Sequence, residues 1–384
     1  MRISQIATYI KRGITPAYVE ENGLAVVNQK CIQKGQVVYD FIKYTDKDKR
    51  YTEEKKVCAG DVLINSTGAG TMGRVAYVEA GFTFSYVDSH VTILRCRDYN
   101  AKFLFYWLRT LERYIESLGK GATNQLELSA DAIAGIEIPD IDVDKQNAVV
   151  AILSSYDNLI DNNHRQIVLL EEAAQRLYRE WLVDLRFPGY ENTKIVDSVP
   201  EGWEEKQLSD FADVVMGQSP KSEFYNREKR GLPFHQGVGG YGDRFVKDET
   251  YSTAYTRVAE AGSILFSVRA PVGRLNLTKH RVVIGRGLSA INHKDGLQSF
   301  LYYLLKGRFF KDNIIGNGSI FASINKEELL SQAFLIPTHD VVRKFDHISS
   351  AIDRRIDALD VQTKMLMEAR DRLLPKLMSG EIAV

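Results

Sequence analysis

The sequence predicts an α+β protein: two similar mixed α/β domains separated by a long antiparallel two-helix coiled coil, pseudo-two-fold symmetric. Two observations carry that expectation. A narrow apolar seam with heptad spacing runs through Lys145–Leu182, and its register returns near the C-terminus. The turns, strands and helices of residues 1–140 also recur, in the same order, beyond residue 200.

The first half opens with Ile3-Ser4-Gln5-Ile6 and the turn Gly13-Ile14-Thr15-Pro16. Strands are expected over Leu24–Gln29, Asp61–Ser66 and Val91–Leu94, where β-branched and aliphatic residues are bounded by turn formers. The spacing of Leu104, Tyr106, Trp107, Leu108, Leu111 and Tyr114 predicts a helix over Lys102–Leu118. Gly121–Leu126, a short helical stretch and Ile136-Glu137-Ile138-Pro139 follow.

The seam comes next. Val149, Leu153, Tyr156, Ile160, Ile167, Leu170, Ala174, Leu177 and Trp181 step by four and three, and Asn163 fills the one slot that is not apolar. Asp142 or Asp144 would cap this helix, and Phe187-Pro188-Gly189 would end it. A constant shift carries the seam onto Phe345, Ser349, Ile352, Ile356, Leu359, Thr363, Leu366, Arg370, Leu373 and Leu377, most of them apolar. A narrow apolar stripe cannot stay dry alone, so these two helices are natural partners. An ordinary amphipathic core helix is the competing reading, and the repeated register argues against it. Asn163 is either solvated or a buried amide that fixes register. Pro375 predicts a kink or helix end between Leu373 and Leu377. A helix of roughly 38 residues spans about 57 Å at ~1.5 Å per residue.

The second half repeats the first. Leu208-Ser209-Asp210-Phe211 matches Ile3–Ile6, and Gly217-Gln218-Ser219-Pro220 matches Gly13–Pro16. Gly231–Gln236 answers Gly23–Gln29, and Ser263–Ser267 answers Val62–Ser66. Gly73-Arg74 and Gly273-Arg274 follow those strands, and a helix over Leu297–Lys306 matches Lys102–Leu118. Phe334–Pro337 matches Ile136–Pro139. The expected division is a domain at 1–141, a helix at 142–187, a domain at 188–340 and a helix at 341–384.

Composition narrows the function classes. The chain has 384 residues, 44% hydrophobic and 26% charged, which suits a globular protein of more than one domain. No apolar run approaches the ~20 residues of a membrane helix, and no signal-peptide apolar region follows Met1. Cys31, Cys58 and Cys96 form neither a metal spacing nor a disulfide framework, so a reducing, cytoplasmic setting is expected. The seven histidines are scattered and predict no metal site. Zero formal net charge means that any phosphate binding needs basic residues gathered on one face, or supplied by a partner.

Val199-Pro200-Glu201-Gly202-Trp203 followed by Leu208 resembles the opener of a target-recognition domain in type I restriction–modification specificity subunits. The doubled Gly-x-x-Pro turn and the Ile-Pro ending of each domain resemble the same family. So do Leu170-Glu171-Glu172-Ala173, Leu366-Met367-Glu368-Ala369 and the tail Ser379-Gly380-Glu381-Ile382. The order of these motifs, used twice, carries the likeness over essentially the whole chain. The first domain departs from it by lacking the Pro-Glu-Gly-Trp opener, as if trimmed. The resemblance implies two target-recognition domains, each reading one half of a bipartite site in double-stranded DNA. It implies that the helices set the spacer and dock two methyltransferase subunits, which restriction subunits join. It implies no catalysis and no cofactor in this chain; S-adenosylmethionine would sit on the methyltransferase partner and ATP on the restriction subunit. A coiled-coil adaptor without DNA, or a self-contained DNA methyltransferase or nuclease, are the competing readings.

The residues speak against an enzyme. Gly68–Gly73 and Gly237–Gly242 match G-x-G-x-x-G, but strand-forming residues follow, where a dinucleotide fingerprint needs a helix. No Asn-Pro-Pro-Tyr/Phe base-flipping motif occurs, and Pro139-Asp140 with Lys145 lacks a well-spaced second carboxylate for a nuclease. DNA contacts are expected from polar and basic loop residues at repeated positions. In the first domain these are Lys11, Arg12, Thr15, Gln29, Lys30, Asn65, Thr67, Thr71, Arg74, Asn124 and Gln125. In the second they are Gln218, Ser219, Lys221, His235, Gln236, Ser267, Arg269, Arg274, Arg286, Asn317 and Ser319. Arg74 and Arg274 could instead brace their glycine turns.

Overall fold

A computed structural model describes residues 1–121, 126–309 and 323–384. Contacts divide the chain into two units, Met1–Asn162 with Gln362–Val384, and Asn163–Val361. Both long helices are cut by this division, so each unit holds one α/β module and a half of each helix. No helix among the described residues is long and apolar enough to cross a membrane.

The first unit is built on β1 (Ala7–Arg12), β2 (Leu24–Val27), β3 (Val62–Asn65), β4 (Val75–Tyr77), β5 (Tyr86–Val87) and β6 (Val91–Cys96). One antiparallel sheet has the order β1-β6-β3-β4. A second places β2 between the short strand Lys43–Thr45 and β5, pairing β2 with β5 in parallel through Val26↔Tyr86. Side-chain alternation explains why β3 reads as a continuous apolar run. Val62 and Ile64 face the helical core with Leu94, whereas Leu63 packs toward the second sheet with Ala76, Val87 and Ile93.

Helix α1 (Ala101–Thr110) covers the outer face of the first sheet with Phe103, Leu104, Tyr106 and Leu108. Asn100 caps it by accepting from the backbone N–H groups of Lys102 and Phe103. The expected helix over Lys102–Leu118 is interrupted: it breaks at Leu111, and Glu112–Ser117 forms a separate piece. The backbone carbonyl of Glu112 packs against Gly73, where a Cβ would approach it to 2.6 Å, and the Glu112 carboxylate accepts from the N–H of Val75 at 3.1 Å.

The second unit repeats the topology. Its main strands are β7 (Ala212–Met216), β8 (Leu232–His235), β9 (Ile264–Ser267), β10 (Leu275–Leu277), β11 (Val282–Ile284) and β12 (Leu288–His293). The antiparallel sheet has the order β7-β12-β9-β10, and β8 pairs in parallel with β11 through Phe234↔Val283. One further strand, Val258–Ala259, extends the second sheet along β11. Glu204–Gln207 pairs with Ala333–Ile336, so the Val-Pro-Glu-Gly-Trp opener leads into a ladder that closes the module. In the first unit the matching contact is the single bridge Arg2↔Glu137. Helix α3 (Gln298–Phe309) takes the place of α1.

The long helices are α2 (Val143–Tyr178), extended by a π turn over Arg179–Val183, and α4 (His339–Ser379). Every seam position is buried or half-buried, including Asn163 at 3% and Thr363 at 4% exposure. In the first unit Val149 and Leu153 share a core with Leu374 and Leu377, and Asp157 meets Arg370. In the second unit Gln166 meets Arg355, and Trp181 packs edge-on to Phe345. Within each unit, one helix ascends as the other descends. Of the kink or helix end expected at Pro375, the end does not occur: α4 runs through it to Ser379. Leu374, Leu377 and Met378 bury that last turn, which offsets the backbone hydrogen bond that proline cannot make.

Candidate nucleic-acid interface

Strand order brings the loops of the first unit to one end of its sheets. Gly13 donates its N–H to Val91 O at 3.0 Å, and Ile14 donates to Val87 O at 2.9 Å. A Cβ at Gly13 would lie 2.0 Å from Val87 O, so only glycine lets this turn lie against the end of β5. Thr15 is thereby held at the exposed tip. The turn between β3 and β4 joins the same cluster, because Asn65 donates its side-chain amide to Gln29 O (2.9 Å) and Thr71 O (3.1 Å). Thr67 Oγ1 bonds His90 Nδ1 at 2.6 Å, and Arg12 reaches Glu127 Oε2 at 3.2 Å and Leu128 O at 3.3 Å.

The second unit builds the same cluster with different side chains. Gly217 donates to Leu288 O (2.9 Å) and Gln218 to Ile284 O (2.9 Å), and a Cβ at Gly217 would lie 2.2 Å from Gly285 O. Ser219 Oγ donates to Gln236 Oε1 at 2.8 Å and accepts from the Arg286 N–H at 3.2 Å. Ser267 Oγ donates to Pro271 O at 2.6 Å and accepts from the Arg274 N–H at 2.8 Å, closing the turn between β9 and β10. Arg269, in that turn, forms a backbone bridge to Ser323 of the segment that precedes Asn325.

The expected contact residues therefore fall into two groups. Thr15, Lys30, Gln218, Gln236, Arg269, Arg274 and Arg286 are exposed in these clusters, and Gln29, Thr71 and Ser219 are half-exposed. Asn65, Thr67, His235 and Ser267 are buried and hold the loops from behind. Arg74 braces its glycine turn, donating to Gly70 O at 2.7 Å. Lys11 turns away to a groove of about 440 Å³ beside Tyr9, Glu54 and Arg95, and pairs with Glu54. Lys221 is exposed beside Glu223. Asn124, Gln125, Asn317 and Ser319 lie outside the described residues.

Charge under the loops is organised by burial. Asp88, behind the first cluster, accepts from Tyr18 OH (3.3 Å) and the His90 N–H (2.9 Å); burial pushes its carboxyl above the usual range. Partial desolvation of its hydroxyl, then the Asp88 charge, pushes the otherwise exposed Tyr18 up to about 12. Asp248, behind the second cluster, lies 3.0 Å from His235 Nε2 and 2.8 Å from His280 Nε2. Burial alone would raise its carboxyl, but the hydrogen bond from His235 and the charge of His280 outweigh burial and leave it lowered.

Three residues of the cluster escaped the sequence reading. Lys55 donates to Gly13 O at 2.8 Å, Lys49 donates to Thr15 O at 3.1 Å, and exposed His90 sits on Thr67. The run Lys47-Asp48-Lys49-Arg50 was the available signal for Lys49; nothing comparable marked Lys55 or His90. The two glycine-rich matches are turns. Gly68–Gly73 leads into β4, and Gly237–Gly242 holds one short 3-10 turn before a hairpin. Among the described residues, no group of three or more His, Cys, Asp or Glu side chains is placed to hold a metal ion.

Comparison with known proteins agrees with this doubled architecture. A protein of Methanocaldococcus jannaschii, assigned as the MjaX specificity subunit of a type I restriction enzyme, is 26% identical over 394 residues, spanning 100% of this chain and 93% of its own. The type I restriction enzyme HindI specificity subunit of Haemophilus influenzae is 21% identical over 411 residues, spanning 86% and 88%. The crystal structure of a type I restriction–modification S subunit from M. genitalium shares the fold, with a TM-score of 0.59 at 18% identity over 98% of this chain and 95% of that one. A family model described as the type I restriction modification DNA specificity domain matches residues 1–172 and again residues 200–360, and by that match over both halves the chain belongs to this family.

Proposed function

We propose that the chain is the DNA-reading subunit of a type I restriction–modification complex, with one α/β module for each half of a bipartite duplex target. Members of the family recognise DNA and leave catalysis to other subunits. The observation that carries the reading is the loop cluster built twice on one topology, each copy anchored by a glycine turn against a parallel strand pair. Each cluster offers hydroxyl, amide and guanidinium groups, the donors and acceptors that distinguish base edges. Backbone-directed contacts from neighbouring lysines would position without specifying.

In this reading α2 and α4 form an antiparallel coiled coil that acts as a ruler. The 36 residues of α2 span about 54 Å at ~1.5 Å per residue. One turn of duplex is about 34–36 Å, so two modules on such a ruler meet one groove face at two separated sites. Leu159, Leu169 and Met365 are 47%, 63% and 66% exposed on these helices, apolar side chains suited to docking two methyltransferase subunits. S-adenosylmethionine then belongs to those subunits, and ATP to the restriction subunits that join them. Zero net charge fits a chain that binds duplex well only within its complex.

Methylome sequencing of cells carrying this gene and its methyltransferase partner tests the reading. The expected result is methylation in two short motifs separated by a fixed gap of unspecified bases. Methylation at an uninterrupted motif would overturn it.

A further inference from the structure

In the second unit a short hairpin leaves the module and reaches both long helices. Tyr241 bridges Val246, and the hairpin is fastened to β10: Val246 donates to Leu277 O at 3.1 Å, and Leu277 to Arg244 O at 2.9 Å. Its tip carries Arg244, whose side chain is 3% exposed. The guanidinium lies 3.1 Å from Glu171 of α2 and 2.5 Å from Asp353 of α4, over the ring of Tyr302 at 4.6 Å. Asp353 also accepts from Tyr303 OH at 2.8 Å and from Ser299 at 2.6 Å. Beside it, Lys279 stacks on Phe245 of the hairpin and pairs with Asp357 and Asp360 of α4.

The first unit carries no such cation on its hairpin; the arginine there, Arg109 of α1, lies beneath it against Gly35. Its corresponding hairpin, Ile32–Val37, is docked on β4 through the bridge Gly35↔Ala76. Its hydrogen bond to α2, from Gln36 to Asp161 at 3.3 Å, is exposed. Asp157 there receives Tyr106 OH, as Asp353 receives Tyr303 OH, but its arginine is Arg370 from α4 itself. The same buried Tyr–Asp pair is thus neutralised by a helix residue in one unit and by a module residue in the other.

We propose that Arg244 is a positioning residue that fixes the pitch of the second module on its helices, so that the gap between half-sites is read strictly. This rests on the bipartite reading above. A buried guanidinium shared by two carboxylates on two helices has one geometry, and leaving it would strand uncompensated charge. The module can therefore rock only by breaking the cluster. In the first unit the hairpin adds only the exposed Gln36–Asp161 bond, and the module is held to its helices instead by the Tyr106–Asp157 bond and the core shared with Val149, Leu153, Leu374 and Leu377.

Methylome sequencing with Arg244→Met, Arg244→Lys, Glu171→Gln and Gln36→Ala tests this. Arg244→Met should keep both half-site sequences but spread methylation to neighbouring gap lengths, discrimination between gaps falling roughly tenfold or more. Arg244→Lys, which retains the charge but not the fork, and Glu171→Gln should fall between it and the parent. Gln36→Ala should leave a single gap. A uniform loss of methylation with the gap unchanged is the signature of mere destabilisation and overturns the assignment. Should Arg244→Met not accumulate, Glu171→Gln decides alone: an unchanged gap overturns the proposal. A parent methylome with an uninterrupted motif overturns the functional reading itself, whereas a two-part motif whose gap ignores Arg244 overturns only this assignment.

Discussion

Arg370 occupies a seam position yet carries a charge with only 9% of its side chain exposed, and Asp157 at 2.7 Å is what makes that burial tolerable. Asp371 supplies a second carboxylate at 2.8 Å, but it is 55% exposed and largely screened. Asp157→Ala should therefore strand the guanidinium and cost about 3–5 kcal/mol, the scale of breaking a buried pair. Replacing both partners, as in Asp157→Leu with Arg370→Met, should recover most of the loss. Urea unfolding of the two variants and the parent measures this; equal stability of Asp157→Ala and the parent would show that the pair is idle. The sequence exposed Arg370 as a break in an apolar series but could not name Asp157, a residue from the other end of the chain. The same limit applies to four of the loop candidates. Asn65, Thr67, His235 and Ser267 have the right chemistry at the right turns, but which way a side chain points depends on strand register. That register placed them inside, where they hold the loops.

Ile160 illustrates what local spacing does determine. It is 4% exposed, as its place in the four-and-three pattern requires. Ile160→Asp forfeits roughly 1.5–3 kcal/mol of apolar burial and adds a carboxylate against an apolar surface. The expected outcome is a lower melting temperature, with α/β modules that still fold and split-site methylation that loses its gap preference. A variant that keeps the parent's gap would refute the ruler. Seam positions were legible because helical periodicity is written in adjacent residues. Element ends were less so. Packing of Leu374, Leu377 and Met378 carries α4 past Pro375, and the fit of Gly73 against Glu112 accompanies the break after α1. Each depends on a partner distant in sequence: the first unit's core for the last turn of α4, and Gly73 for Glu112.

Across the chain, the repeat was readable as an order of motifs, and the fold turns that order into matching sheets. Two features had no local signal: the parallel pairing of β2 with β5 and of β8 with β11, and the hairpins that reach the helices. Both join segments far apart in sequence. Each unit encloses its own loop cluster, so the two readings should contribute independently to binding. Gln236→Ala removes an exposed amide that Ser219 holds in place, and should relax base preference at one half-site by about 1–3 kcal/mol per lost contact. The other half-site and the gap should stay as they were. Thr15→Ala combined with Lys30→Ala should do the converse, altering only the half-site that Gln236→Ala spares. Methylome logos of the two variants give the answer directly. Were either variant to shift both half-sites, the clusters would be reading one composite surface, and a duplicated fold would not mean a duplicated reader.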